Sequence, residues 1–129
     1  MSIKETAVTM HEKGYNCAQA VLSGSKEYTG LDEKTALAIA AGFGGGLRSG
    51  EVCGAISGAV MAIGMKFPFT DASDTEAKAK IAELAKLCVA KAQEEFGCVL
   101  CRELKGKKHT CAEIIAYMSD VVEEIMNNN

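Results

Sequence analysis

The segment from Glu51 to Met65 limits most strongly how this chain can fold. Almost every residue in it is apolar or small, and a glycine recurs every four residues at Gly50, Gly54 and Gly58. A helix that is apolar nearly all round belongs in the interior of a helical bundle. Because residues four apart share one helix face, the three glycines predict a face on which another helix packs closely.

Helical patterns also account for most of the remaining chain. Asn16 with Gln19, and Thr110 with Glu113, have the spacing of helix capping boxes, and a third such box is predicted at Ser73. No stretch alternates between apolar and polar residues, so no strand is predicted. The predicted helices cover residues 3–13, 31–41, 51–65 and 74–96 and begin again after residues 16 and 110, with a glycine bend at 42–46, a short segment at 98–104 and a polar loop at 105–109.

These patterns predict an all-α fold. We expect a compact bundle of about five or six helices, in one domain over residues 1–129, with the small-residue helix at its centre. The chain has 129 residues, of which 48% are apolar and 24% charged, and this composition is not that of a disordered protein.

Charge and hydropathy exclude further classes. A net charge of −3 and an isoelectric point near 5.4 argue against nucleic-acid binding. No apolar run approaches the roughly 20 residues of a membrane span, and the first residues lack the apolar stretch of a secretory signal. We therefore expect no membrane insertion and a cytoplasmic location.

Six cysteines are the main chemical feature of the chain. In a reducing cytosol, such cysteines point to metal, cluster or redox chemistry more than to structural disulfides. Cys17, Cys53 and Cys111 fall at predicted helix starts, where unpaired N–H groups and the helix dipole favour the thiolate. The alternative is that such cysteines are small buried hydrophobes. We interpret Cys88 in this way, since it lies on the apolar stripe of the longest helix.

Cys98 and Cys101 form the one CxxC pair. This spacing occurs in thioredoxin-like redox motifs and in zinc ribbons, but the βαβ context and the second CxxC are both missing. His109 precedes Cys111 by two residues and could tune its thiol, although a solvated loop position is the favoured interpretation. Arg48 is the one cation beside the glycine bend, which we interpret as a tight turn.

Several short motifs together resemble the C_GCAxxG_C_C family. The resemblance spans Gly14 to Cys111, and its motifs are residues 14–21 (GYNCAQAV), 44–46 (GGG), 53–58 (CGAISG), 101–104 (CREL) and Cys111. Members of that family are described as redox-active proteins with four signature cysteines. The resemblance implies that these positions here, called the four signature cysteines below, are Cys17, Cys53, Cys101 and Cys111.

The resemblance also bears on the other cysteines and on a cofactor. Cys88 and Cys98 lie outside the signature, so Cys98 is an extra thiol beside Cys101. A related module occurs in the split-Soret type of cytochrome, for which an iron–sulfur centre has been proposed. This implies electron transfer as one function.

Three functions remain open from the sequence, as does the question of whether the chain is an enzyme. In the first, the four signature cysteines bind a metal centre, with a [2Fe–2S] cluster ahead of zinc, and the protein exchanges electrons with an unidentified redox partner. Room for the cofactor would come from Gly44, Gly45, Gly46 and Gly54.

The second function is metal-free dithiol–disulfide chemistry, as an oxidoreductase or a redox sensor. Cys53 or Cys111 would then be the reactive thiol, and a second cysteine would resolve the mixed disulfide. The third is a non-catalytic helical interaction module that self-associates through its small-residue face and its Met-containing final helix. A homodimer is compatible with all three functions.

Overall fold

Eight helices make up the part of the chain that the computed structural model describes, residues 2–106 and 109–129. Six of them have eight residues or more, which confirms the predicted all-α bundle. Within these residues, the one β pairing is an antiparallel bridge between Val52 and Leu100. The helices are α1 (Ile3–Glu12), α2 (Cys17–Gly24), α3 (Lys26–Thr29), α4 (Glu33–Ala40), α5 (Gly54–Lys66), α6 (Thr75–Phe96), α7 (Cys101–Gly106) and α8 (Cys111–Asn128).

Helices α2 and α5 form the centre of the bundle. They pack against each other, and α1, α4 and α8 surround α2 while α6 and α8 cover α5. Every residue of α2 except Gln19 is buried. The small-residue helix α5 is central as predicted, but Val60 and Met61 on one of its faces are only partly buried. Helix α2 is therefore the more enclosed of the two.

The glycine face of α5 is used inside the molecule. A Cβ atom on Gly58 would lie 2.8 Å from the Ala18 carbonyl oxygen, so the backbones of α5 and α2 touch there. Gly54 packs on Ala18 in the same way. The prediction was wrong for Gly50, which lies before the helix with φ of +74° and packs against Arg102. Since α2 covers this face, it is not available for self-association.

Capping groups explain where the helices begin. The Asn16 side chain accepts from Gln19 N, and the Gln19 side chain accepts in turn from Asn16 N, which confirms that capping box. Thr110 caps α8 as predicted. The cap of α6 is Asp74 rather than Ser73, because Asp74 accepts from Ala77 N while Ser73 bonds to Asp71.

The predicted polar loop at 105–109 is partly helical. Helix α7 includes Lys105 and Gly106, while residues 107 and 108 of this loop lie outside the described residues. Among the described helices, none combines the length and the apolar character that crossing a bilayer requires.

Candidate functional site

Each of the four signature cysteines lies at a helix N-terminus. Cys17, Cys101 and Cys111 are the first residues of α2, α7 and α8, and Cys53 is the N-cap of α5. The sequence predicted this position for three of them but not for Cys101. The positive ends of four helices therefore lie beside the four thiols.

A short extended pairing places Cys53 beside Cys101. The Cys53 N–H donates to the Val99 carbonyl at 2.9 Å, and the Cys101 N–H donates to the Glu51 carbonyl at 2.7 Å. Residues 51–53 were predicted to be helical, and instead they are extended so that they can make these bonds. The Arg102 guanidinium joins the same two segments through an ion pair of 2.6 Å with Glu51.

All four signature cysteines line one cavity of about 180 Å³. Among the described residues that line it, none is acidic and four are basic. Cys88 and Cys98 do not line it. The lining residues besides the cysteines are His11, Asn16, Gly45, Arg48, Leu104, Lys105, His109 and Ile114.

Cys17 is the thiol that this environment favours as a thiolate. A hydrogen bond from the Cys53 thiol, together with the backbone N–H groups of Gly45, Cys17 and Ala18, lowers its pKa to about 5 in spite of burial. The Cys17 sulfur also lies against the first residue of α5, since a Cβ on Gly54 would be 2.9 Å from it. Cys17 and Cys53 thus form a thiolate–thiol pair.

Cys53 and Cys111, which the sequence suggested as the reactive thiols, have raised pKa values instead. The hydrogen bond to Cys17 and burial raise the pKa of Cys53. Burial, together with negative charge on Cys17, raises the pKa of Cys111. This is opposite to the direction expected from helix position alone, because desolvation and a neighbouring thiolate outweigh the helix dipole.

The pattern of the C_GCAxxG_C_C family, described as "Putative redox-active protein", matches residues 15–125. The chain belongs to the C_GCAxxG_C_C family. The match contains all four signature cysteines, helices α2, α5 and α7 and most of α8. The comparisons found no matching curated protein and no matching solved structure.

The four glycines predicted to make room for a cofactor in this C_GCAxxG_C_C protein differ from one another in their roles. Gly45 lines the cavity and supplies an N–H to Cys17. Gly54 lets the Cys17 sulfur approach α5. Gly44 packs on Asn16, and Gly46 has φ of +64° with no room for a Cβ beside the Glu51 backbone. These last two shape the turn before the site.

His109 is part of the site. It lines the cavity, and its ring packs edge-on against Phe96 with centroids 5.0 Å apart. It is a loop residue, as interpreted from the sequence, but it is only partly exposed because its ring packs against α6. His11 also lines the cavity, and its Nδ1 donates to the Tyr15 carbonyl at 3.1 Å. No sequence signal linked His11 to the cysteines.

The two cysteines outside the signature are core residues. Cys88 is fully buried on α6, as predicted, and burial raises its pKa to about 12. Cys98 is also buried, and its sulfur lies 3.8 Å from the Phe96 carbonyl oxygen. The CxxC spacing therefore does not bring both of its thiols into the cavity.

The low pKa of Cys17 predicts an unusual pH profile for alkylation. In the reduced, metal-free protein, the rate of Cys17 modification by iodoacetamide should follow a titration with a midpoint near pH 5. Cys111 should react only at a pH above the ordinary pKa of a cysteine thiol, because its own pKa is raised. Peptide mass mapping of samples quenched at each pH measures both, and Cys17→Ser serves as the control. A Cys17 midpoint above about pH 8, as in a model thiol, would contradict the assignment.

Proposed function

We propose that the four signature cysteines hold an iron–sulfur cluster and that the protein transfers electrons through it. The observation that carries this proposal is the convergence of all four thiols, each at a helix N-terminus, on one cavity. Four thiolates are the usual ligand set of [2Fe–2S] and [4Fe–4S] clusters. When bound, such a cluster supplies a centre that accepts and releases electrons.

The charges around the cavity suit four bound thiolates. Helix N-termini place partial positive charge at each sulfur. Arg48 and Lys105 add full positive charges, and no carboxylate is present among the described lining residues. This environment offsets the negative charge that four thiolates bring into a largely buried site.

The four thiols are not equally coupled to one another. Cys17 and Cys53 shift each other's pKa most, while negative charge on Cys17 and Cys101 raises the pKa of Cys111. Among the described residues, no three His, Cys, Asp or Glu side chains are already grouped so as to hold a metal ion. A [2Fe–2S] cluster takes two thiolates on each iron, and we favour it because four thiols line the cavity.

The chain's own groups would tune the centre. The N–H groups of Gly45, Cys17 and Ala18 help to lower the pKa of Cys17 and would stabilise its sulfur in the same way when it is a ligand. Donors to ligand sulfurs raise the reduction potential of iron–sulfur sites. Leu104 and Ile114 limit water at the cavity wall.

Purification without oxygen tests the proposal. We expect visible absorbance with iron and acid-labile sulfide in stoichiometric amounts, all lost in Cys53→Ser and retained in Cys88→Ser. Both cysteines are buried, so the second variant controls for the loss of a buried thiol. Zinc without iron, or a colourless protein free of metal under these conditions, would overturn the iron–sulfur assignment.

The Cys17–Cys53 contact favours dithiol–disulfide exchange as a second candidate. The Cys17 thiolate would attack a substrate disulfide, form a mixed disulfide and release one substrate thiolate. Cys53 would then attack the Cys17 sulfur and release the second thiolate, which accepts the Cys53 proton. The products are a Cys17–Cys53 disulfide, one substrate thiolate and one substrate thiol. The metal-free protein would then lose two free thiols together on mild oxidation, with both peptides joined in mass mapping.

A further inference from the structure

Two cations lie at the opening of the four-cysteine cavity. Arg48 comes from the turn at 46–50 and Lys105 from α7, and both line the cavity. Glu113 lies 3.7 Å from His109, and Glu51 is paired with Arg102. Among the described residues, neither Arg48 nor Lys105 forms an ion pair. Because the whole chain has a net charge of −3, this opening differs in sign from the molecule's average.

The turn that carries Arg48 has an unusual backbone. Gly45 and Gly46 have φ of +65° and +64°, and Leu47 and Arg48 continue with φ of +60° and +58°. Residues other than glycine rarely adopt a positive φ, and those that do are often found at functional sites. Here it places Arg48 on the cavity wall while leaving Leu47 51% exposed.

The second cation comes from a neighbouring helix. The turn at 46–50 packs against α7, which carries Lys105, and Lys105 lines the cavity as Arg48 does. The cavity opening therefore has a rim with two cations and, beside Arg48 in the turn, one exposed apolar residue. We define this rim as Leu47, Arg48 and Lys105.

We propose that this rim docks an acidic face of the protein that exchanges electrons with the cavity. The inference rests on the proposed redox function of the four signature cysteines. Opposite charges would steer the partner toward the opening and orient it. Leu47, next to Arg48 in the turn, would make an apolar contact once the partner has arrived. The arrangement suits a transient complex, in which charge sets the association rate.

Small oxidants of opposite charge test the rim without knowledge of the natural partner. Oxidation of the reduced protein by anionic hexacyanoferrate(III) and by cationic tris(phenanthroline)cobalt(III) is followed by stopped flow at low and high salt. In the variant carrying Arg48→Glu and Lys105→Glu, we expect the rate with hexacyanoferrate to fall by about tenfold at low salt and the cobalt rate to rise. High salt should remove most of both changes.

Two controls make the result specific. Lys86→Glu, on the exposed face of α6 and away from the cavity lining, applies the same charge reversal and should leave both rates nearly unchanged. Polyglutamate should slow the hexacyanoferrate reaction of the unmodified protein at low salt, whereas polylysine should not. The proposal would be overturned if Lys86→Glu changed the two rates as much as Arg48→Glu with Lys105→Glu does. It would also be overturned if the double variant slowed both oxidants equally. Inhibition by inorganic phosphate alone, with none by polyglutamate, would overturn docking of an acidic protein in favour of a small anion.

The iron and sulfide content of each preparation separates the two proposals. If iron is absent, the iron–sulfur function fails. The rim is then tested by the rates at which the thiols react with two disulfides, anionic dithiobis(nitrobenzoate) and dicationic cystamine. With Arg48→Glu and Lys105→Glu, we again expect the rate with the anionic reagent to fall and the rate with the cationic reagent to rise. If iron is present but the oxidants do not discriminate, the rim proposal fails and the cluster assignment stands.

Discussion

Replacing Cys101 with serine is expected to abolish bound iron and visible absorbance, whereas Cys98→Ser should leave both unchanged. The two residues are three positions apart and are almost equally buried, at 8% and 6% exposed. Cys101 begins α7 and lines the cavity, while the Cys98 sulfur faces the Phe96 carbonyl oxygen. Position relative to the cavity is thus the main difference between them.

The comparison is made on protein purified without oxygen, with iron, sulfide and absorbance measured per chain. Thermal unfolding of both variants shows whether they remain folded, and we expect similar small losses of stability because each replaces one buried thiol. Equal loss of iron from the two variants would contradict the assignment of Cys101 as the ligand. Loss from Cys98→Ser alone would reverse it.

Replacing Gly58 with alanine should strongly destabilise the protein. The added Cβ would lie 2.8 Å from the Ala18 carbonyl oxygen and 3.2 Å from its Cα, and these are backbone atoms that cannot rotate away. Overpacking of this kind costs about 1–3 kcal/mol. We expect the upper part of that range, because α2 and α5 are the central pair of helices.

Gly64→Ala is the matched control on the same helix. A Cβ there would meet nothing within 4 Å, so alanine should stabilise the helix by about 0.5–1 kcal/mol through its better helix propensity. Urea unfolding monitored by circular dichroism measures both variants. A Gly58→Ala variant as stable as the unmodified protein would show that α2 and α5 are not in backbone contact at this point.

Local patterns in the sequence were sufficient for most helices and caps. The Asn16–Gln19 and Thr110–Glu113 spacings identify helix starts, since a cap depends on side chains within one turn of the backbone it bonds. Spacing alone placed Gly50 on the face of Gly54 and Gly58, and this was wrong. Residues 51–53 leave the helix to bond with residues 99–101, and such a long-range pairing has no local signature.

The sequence by itself determined the all-α class, the central small-residue helix and the family with its four signature cysteines. Only the tertiary structure decided that Cys101, and not Cys98, shares a cavity with the other three, because the Val52–Leu100 bridge sets the start of α7. The tertiary structure also decided that the pKa of Cys17 is lowered while those of Cys53 and Cys111 are raised. All three lie at helix N-termini, so the difference comes from burial and from the interaction of Cys17 with Cys53. Those depend on which groups meet across the fold.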